Sequence, residues 1–123
     1  MTLKEADTLL ALNTFHPVYL AKMLLPQQMA RKQKSAIVVV SSIMGDLPSP
    51  CHIYYSCTKV FVKFLYDGLA VEASLDDRLK EKIDFQCYQP GFVATKLSRK
   101  KVGCTIPNTM KAAEGALKDL GRR

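Results

Sequence analysis

An uninterrupted run of apolar, mostly β-branched residues constrains the fold more than any other feature of the chain. The run Ala36-Ile37-Val38-Val39-Val40 contains no polar residue, whereas a strand with one solvated face alternates apolar and polar positions. The run therefore predicts a strand buried on both faces, as in a parallel sheet. Parallel strands are joined by helical crossovers, so helices are expected on either side of it.

Helical patterns alternate with strand patterns along the 123 residues. The helices are predicted over 3–12, 18–32, 53–74 and 108–120, and the strands over 36–40 and 83–88. Pro17 and Pro26 predict bends in the N-terminal helical stretch, and the apolar side of the long middle helix is predicted to carry Val60, Phe64 and Ala70. The order predicts an α/β domain with two parallel strands and a right-handed crossover.

Hydropathy and ligand spacing exclude two classes of protein. The apolar stretches are too short or too often interrupted by charge to cross a bilayer, and the first residues lack the basic flank and apolar core of a secretory signal. A cytoplasmic location is the default expectation. The four cysteines and two histidines do not have the spacing of a metal site, so no metal is expected.

The net charge of +7 is concentrated in residues 31–34, 96–101 and 122–123. A nucleic-acid site would interleave such charges with exposed aromatic residues or place them on a recognition helix, and neither pattern is visible. Solvated ends of helices and strands are the favoured interpretation, and attraction of a phosphate-bearing cofactor or substrate is the second. No nucleic-acid partner is expected.

Tyr55 and Lys59 lie four residues apart in the long middle helix, so their side chains share a face. An ammonium group beside a phenol favours the phenolate and lowers the phenol pKa toward the range that is useful for proton transfer. A tyrosine packed under a solvated lysine is the alternative interpretation of the pair.

Residues elsewhere in the chain favour the catalytic interpretation. Ser42 follows the first strand, Asn13 lies at the proline-bent helix, and Pro90-Gly91 with Thr95 closes the second strand. In this order and spacing the chain resembles the short-chain dehydrogenase/reductase family. The segments most similar to its hydroxysteroid dehydrogenase and very-long-chain 3-oxoacyl-CoA reductase branch are Val38-Val39-Val40-Ser41-Ser42-Ile43-Met44-Gly45, Tyr55-Ser56-Cys57-Thr58-Lys59 and Gln89-Pro90-Gly91-Phe92-Val93-Ala94-Thr95-Lys96-Leu97.

The resemblance implies a role for each of four residues. Tyr55 would give a proton to a substrate carbonyl oxygen, and Ser42 would donate a hydrogen bond to the same oxygen. Lys59 would bind the nicotinamide ribose and favour the ionised form of Tyr55. Asn13 would hold a water molecule that resupplies the proton.

The resemblance also implies a cofactor and a substrate class. NADP or NAD would be bound by Tyr55, Lys59 and the segment after the second strand, whose implied contact residues are Pro90, Gly91, Val93 and Thr95. The alternative for that segment is a turn that ends a strand. The substrate would be a small lipid molecule such as a steroid or a 3-oxoacyl-CoA, and association with the endoplasmic reticulum would follow.

One element of the family pattern has no counterpart in this sequence. The family begins with a strand and the turn Thr-Gly-x-x-x-Gly-x-Gly, which holds the cofactor pyrophosphate. The six glycines of this chain are never closer than six residues: Gly45, Gly68, Gly91, Gly103, Gly115 and Gly121. Residues 1–123 are therefore expected to form a single partial Rossmann-like domain that lacks the N-terminal nucleotide-binding half and exposes a strand edge.

Three functional hypotheses remain open at this point. The chain is part of an NAD(P)-dependent reductase, or it is an inactive remnant that associates with itself or another protein through its long helices and exposed strand edge. The third hypothesis is a small basic module that binds nucleic acid or anionic lipid, which the spacing of the charges disfavours.

Overall fold

Helices and strands alternate in the computed structural model, which describes residues 1–120. Their order agrees with the prediction: α1 Leu3–Leu10, α2 His16–Ala30, β1 Ser35–Val40, α3 Ile53–Leu75, β2 Ile83–Tyr88 and α4 Thr109–Lys118. The start of α1 is fixed by a capping box, in which the Thr2 side chain accepts from the Glu5 amide and the Glu5 carboxylate accepts from the Thr2 amide.

A wide π-helical turn, Ala11–Phe15, joins α1 to α2. Pro17 lies in the first turn of α2 and has no amide hydrogen to donate to the carbonyl of Asn13, four residues earlier. The ladder instead widens, and the His16 amide donates to the Ala11 carbonyl five residues back. The irregularity predicted at Pro17 thus lies just before it, whereas α2 runs through Pro26 to Ala30.

The sheet consists of β1 and β2 paired in parallel, with Ser35 opposite Ile83 and Val40 opposite Tyr88. Helix α3 forms the crossover between them. An ion pair between Lys34 and Asp84, 3.0 Å from Nζ to Oδ2, lies at the entry to the sheet. The predicted fold class, a partial α/β Rossmann-like unit with two parallel strands, is confirmed.

The core lies between one face of the sheet and helices α2 and α3. Its buried apolar side chains are Ala21, Ile37, Val39, Val62, Tyr66, Ala73, Leu79 and Ile83. The prediction that β1 is buried on both faces is wrong, because Val38 and Val40 are 41% and 54% exposed. Helix α4 covers the second face only beside β2, where the carbonyls of Ala112 and Ala116 accept hydrogen bonds from the side chains of Tyr88 and Gln86, respectively.

The buried face of α3 also differs from the predicted one. Val60 and Phe64 are 47% and 80% exposed, and Ala70 is half-buried. The helix instead buries the face that carries Val62 and Tyr66. The helix has apolar residues around most of its circumference, so the position of the sheet selects the buried face.

A long loop between β2 and α4 is closed at its base. Ala94 forms a bridge with Asn108, and its amide donates to the Pro107 carbonyl at 2.9 Å. Within the loop, Gly103 and Ile106 exchange backbone hydrogen bonds. Across residues 1–120, no helix combines the length and the apolar character that crossing a bilayer requires.

Candidate active site

The carboxyl ends of the two strands meet at one edge of the sheet. The Ser41 amide donates to the Tyr88 carbonyl at 2.8 Å, and the Ile43 amide donates to the Pro90 carbonyl at 3.2 Å. The backbone of Ser42 is extended, and its buried hydroxyl oxygen accepts from the Met44 amide at 3.2 Å. A serine hydroxyl carries one proton in addition to its acceptor sites, so the Ser42 proton remains available for another acceptor.

Close packing fixes the segment after β1 against α3. The buried Ser41 hydroxyl donates to the Lys59 carbonyl at 2.8 Å. A Cβ at Gly45 would lie 3.1 Å from the Lys59 carbonyl carbon and 3.2 Å from the Val60 nitrogen. Only glycine permits this approach of the two backbones without displacement. From the sequence, Gly45 was identified only as the end of a segment similar to the family, and its packing against α3 was not predicted.

Tyr55 and Lys59 are adjacent on α3, as their spacing predicts. The Lys59 ammonium nitrogen lies 5.5 Å from the centroid of the Tyr55 ring, within the range of a cation–π contact. The same nitrogen donates to the Val40 carbonyl at 3.1 Å, across the end of β1. Lys59 therefore connects the strand end to the phenol. Both side chains are half-buried.

Burial changes the proton affinity of Lys59. Loss of solvent lowers the pKa of its ammonium group, and only ionisation of the nearby Cys87 thiol would oppose the shift. Burial likewise raises the pKa of the Cys87 thiol, which keeps it neutral. Lys59 consequently releases its proton more readily than an exposed lysine does.

A small cleft of about 130 Å³ lies at the ends of the strands. Its lining combines two hydroxyl-bearing side chains with apolar groups and one glycine: Ser42, Ile43, Met44, Tyr55, Gly91 and Phe92. This volume is below the range of pockets that enclose a drug-sized ligand. The cleft fits a carbonyl group and its immediate substituents.

Asn13 lies in a second groove, which runs along the unpaired edge of β1 and is also lined by Lys59. The Asn13 carboxamide nitrogen donates to the Thr58 hydroxyl at 3.1 Å, and that hydroxyl donates to the Tyr55 carbonyl at 2.7 Å. The four predicted catalytic residues thus divide between two clefts, which the contact of Lys59 with Tyr55 connects. The buried Thr58 bridge was not predicted, because its spacing to Asn13 carries no periodic signal.

Asp46 joins three segments of the site. It accepts from the Lys63 ammonium at 2.7 Å, and both of its oxygens lie 3.0 Å from the Gln89 amide nitrogen. These hydrogen bonds hold the pKa of the Asp46 carboxyl below its usual value, and the bond from Lys63 contributes most to the shift. The three residues belong to the loop after β1, to α3 and to the loop after β2. Nothing in the sequence alone indicated this cluster.

The predicted cofactor segment is divided between the cleft and the neighbouring loop. Gly91 lines the cleft, and Pro90 is tied to Ile43. Val93 and Thr95 lie outside the cleft lining and hold a turn with Ser98. The Ser98 hydroxyl donates to the Val93 carbonyl at 2.7 Å, and the Ser98 amide donates to the Thr95 hydroxyl at 3.0 Å.

Comparison with known sequences gives one family and several relatives. The model of the family described as short chain dehydrogenase matches residues 1–103. Dehydrogenase/reductase SDR family member 7B of Xenopus laevis is 36% identical over 86 residues, which are 70% of this chain and 25% of that protein. Very-long-chain 3-oxoacyl-CoA reductase of Schizosaccharomyces pombe is 28% identical over an alignment 127 residues long with its gaps, which covers 98% of this chain and 36% of that protein.

Comparison with solved structures gives the same architecture. The bulky-bulky ketone specific alcohol dehydrogenase from Comamonas testosteroni superposes with a TM-score of 0.77 at 24% identity, over 97% of this chain and 44% of that chain. At this identity the likeness concerns the fold. The chain spans between about a quarter and about a third of the length of the two curated relatives named above.

Proposed function

The chain belongs to the short-chain dehydrogenase family, as its motifs predicted, and on this premise we propose that it carries the catalytic residues of an NAD(P)-dependent oxidoreductase. The reaction would interconvert a carbonyl and a hydroxyl group on a lipid substrate. One observation carries the proposal: Ser42 and Tyr55 line the same cleft, and the Lys59 ammonium lies against the Tyr55 ring.

Tyr55 and Ser42 would act on the same substrate oxygen. Within residues 1–120 the Tyr55 hydroxyl makes no hydrogen bond, so its proton is available to a carbonyl oxygen in the cleft. Ser42 would donate its remaining hydroxyl proton to that oxygen and stabilise the negative charge that develops there. A bound nicotinamide cofactor would supply or accept the hydride.

Lys59 and Asn13 would support the proton donor from the adjoining groove. Lys59 has three donor hydrogens and uses one on the Val40 carbonyl, which leaves two for ribose hydroxyls. Its positive charge favours the ionised form of Tyr55 after proton transfer. Asn13 lines the groove beside Lys59, and its amide oxygen would hold a water molecule that returns the proton.

The residues present fit one end of the cofactor. Tyr55 and Gly91 line the cleft, and Lys59 lies against the Tyr55 ring from the adjoining groove. These three residues would hold the nicotinamide ribose and ring, and Pro90 would shape the approach of the ring. Val93 and Thr95 would contribute from the neighbouring loop. The pyrophosphate has no matching cradle among these 123 residues, because no two glycines are close enough to form one.

The cleft lining favours a substrate whose carbonyl adjoins apolar groups. Ile43, Met44 and Phe92 form its apolar side, and Ile43 and Phe92 are more than half exposed, so an extended apolar chain or ring could continue along them. A steroid and a 3-oxoacyl-CoA both meet this requirement. A protein that acts on such substrates would lie at the endoplasmic reticulum or in the cytoplasm facing it.

The proposal is tested with NADPH and the variant Tyr55→Phe, with Tyr54→Phe as the matched control on an exposed neighbour. We expect the 123-residue chain to bind NADPH only weakly in fluorescence titration, because it contains no cradle for the pyrophosphate. Reduction of a 3-oxoacyl-CoA is measured in an active form of the protein. Removal of the Tyr55 hydroxyl should lower kcat by about 100-fold or more without change in the unfolding midpoint. Equal turnover by both variants, or no NADPH binding up to millimolar concentration, would contradict the proposal.

An interaction module is the second candidate, and the exposed apolar surface favours it. Large side chains lie open along α2 and α3, where Tyr19, Met23 and Phe64 are 66%, 63% and 80% exposed. The unpaired edge of β1 offers a second contact surface. Either surface would support association with another copy or with another protein.

Sedimentation across a range of protein concentrations tests this candidate. Val38→Lys places a charge on the open face of β1, and Phe64→Lys places one on the outer face of α3. Loss of association in the first variant alone assigns it to the strand, and loss in the second alone assigns it to the helices. A chain that stays monomeric at all concentrations does not associate with itself.

A further inference from the structure

The loop between β2 and α4 carries a charge pattern that the proposed reaction does not use. From Phe85 to Ala113 the sequence contains no aspartate or glutamate. The same stretch contains five basic residues, four of them within residues 96–101: Lys96, Arg99, Lys100, Lys101 and Lys111. A single-sign segment of this kind creates a local positive potential.

The loop has a defined shape that holds these charges at its surface. Its base is closed by the hydrogen bond from Ala94 to Pro107, and Thr95 and Ser98 exchange hydrogen bonds within its first turn. The Arg99 amide donates to the Thr95 carbonyl at 3.1 Å. Arg99 then adopts a φ of 52°, in the left-handed region that ends such a turn.

Apolar side chains stand among the charges. Leu97 is 94% exposed and Val102 is 62% exposed. Among residues 1–120, no ion pair joins Lys96, Lys100 or Lys101 to a carboxylate. The loop therefore presents uncompensated positive charge and aliphatic surface together.

We propose that residues 96–102 bind the surface of an anionic lipid bilayer. The lysine and arginine side chains would contact lipid phosphates, and Leu97 and Val102 would enter the boundary between headgroups and acyl chains. The spacing of the charges alone disfavoured lipid binding, but the structure exposes Leu97 and Val102 among these charges, and the two kinds of side chain match the two layers of a membrane surface. This inference does not depend on the proposed reaction.

The position of the loop relative to the cleft adds to this inference. Phe92 lines the cleft, and the Lys100 ammonium lies 5.3 Å from the centroid of its ring. A membrane bound at residues 96–102 would therefore lie close to the mouth of the cleft. An apolar substrate could pass between the two over a short distance.

Nucleic acid is the other polyanion that four cations could bind, and the loop fits it less well. Single-stranded nucleic acid is held by exposed aromatic rings on which bases stack. The exposed apolar residues among these cations are aliphatic, and one face of the nearby Phe92 ring is covered by Lys100. The aliphatic side chains favour the membrane.

Fluorescence gives a direct test, because the chain contains no tryptophan. Leu97→Trp places the sole indole on the loop, and Leu75→Trp places it at the end of α3, where the leucine is 81% exposed. With vesicles of phosphatidylcholine and about one-third phosphatidylserine, we expect a blue shift of the emission for Leu97→Trp and none for Leu75→Trp. No shift at Leu97→Trp, or equal shifts at both positions, would overturn the proposal.

A pair of charge variants tests the electrostatic part by vesicle co-sedimentation. The double variant Lys100→Gln, Lys101→Gln removes two charges from the loop, and Arg31→Gln, Lys32→Gln removes two from the exposed turn after α2. The loop variant should lose about tenfold to thirtyfold in affinity for the anionic vesicles, while the control should bind as the native chain does. Equal losses would overturn the assignment to the loop. Equal binding to pure phosphatidylcholine, or preference for RNA in competition, would overturn the choice of partner.

Discussion

Both faces of β1 are apolar, but their surroundings differ. Ile37 and Val39 pack against α2 and α3 and are at most 9% exposed, whereas Val38 and Val40 face outward and are about half exposed. The strand edges differ in the same way, since one edge pairs with β2 and the other pairs with no strand in residues 1–120. An apolar sequence therefore shows that a face tolerates burial, and its neighbours determine whether burial occurs.

The candidate site repeats this difference. Its Ser42 side is fixed by contacts within the chain, through Ser41 and Gly45 to α3 and through Asp46 to Lys63. The Lys59 side opens into the groove along the unpaired edge of β1. The part of the site proposed to bind the substrate oxygen is consequently more constrained than the part proposed to bind the cofactor.

The largest expected effect contrasts the two faces of β1. Ile37→Ala should lower the free energy of unfolding by about 3 kcal/mol, because it removes buried methyl groups and leaves a cavity. Val38→Ala, one residue later on the open face, should cost less than about 1 kcal/mol. Urea unfolding of both variants measures the difference. Similar losses would mean that the outer face is covered in solution.

A pair of glycine substitutions tests the constraint on the Ser42 side. Gly45→Ala should cost about 1–3 kcal/mol, because the added methyl group presses on the backbone of α3 at Lys59. Gly68→Ala meets no atom within 4 Å and lies inside α3, so it should stabilise the chain by about 1 kcal/mol. The thermal unfolding midpoint should therefore fall in Gly45→Ala and rise in Gly68→Ala. A stabilising Gly45→Ala would exclude the close approach of loop and helix.

The smallest effect concerns acid stability at Asp46. The carboxyl pKa is lowered in the folded chain, so its stabilising contribution is complete above the unfolded value and is lost as the pH falls through the folded one. Asp46→Asn cannot titrate and should show a shallower fall in unfolding midpoint below about pH 4. Lys63→Gln removes the largest cause of the pKa shift, so the unfolding midpoint of this variant should also depend less steeply on pH over the same range. Native-like slopes in both variants would show that the pair does not form in solution.

Sequence reasoning succeeded where the signal is local. The bounds of β2 and the shared face of Tyr55 and Lys59 follow from short-range periodicity, and the structure reproduces both. The order of helices and strands gave the parallel sheet. Motif order gave the family, because its residues occur at fixed separations along the chain.

The errors concern properties that depend on distant neighbours. The buried face of α3 was predicted around Val60 and Phe64, but the helix is apolar on several sides and the sheet covers the one with Val62 and Tyr66. The Asp46 cluster joins residues up to 43 positions apart, and the Thr58 bridge spans 45. Neither has a repeating pattern, so only the folded chain reveals them.

The orientation of α1 relative to α2 depends on the number of residues in the wide turn Ala11–Phe15 that joins them. Each residue of an α-helix advances the side-chain direction by about 100°, and the wide turn absorbs one additional residue. Pro17 would still prevent a regular ladder after the deletion of one residue from this turn, so the deletion would rotate α1 by about that angle relative to α2. Asn13 would then no longer point at Thr58 while α1 packs on α3, so single-residue insertions and deletions here should be far less tolerated than substitutions at the same positions.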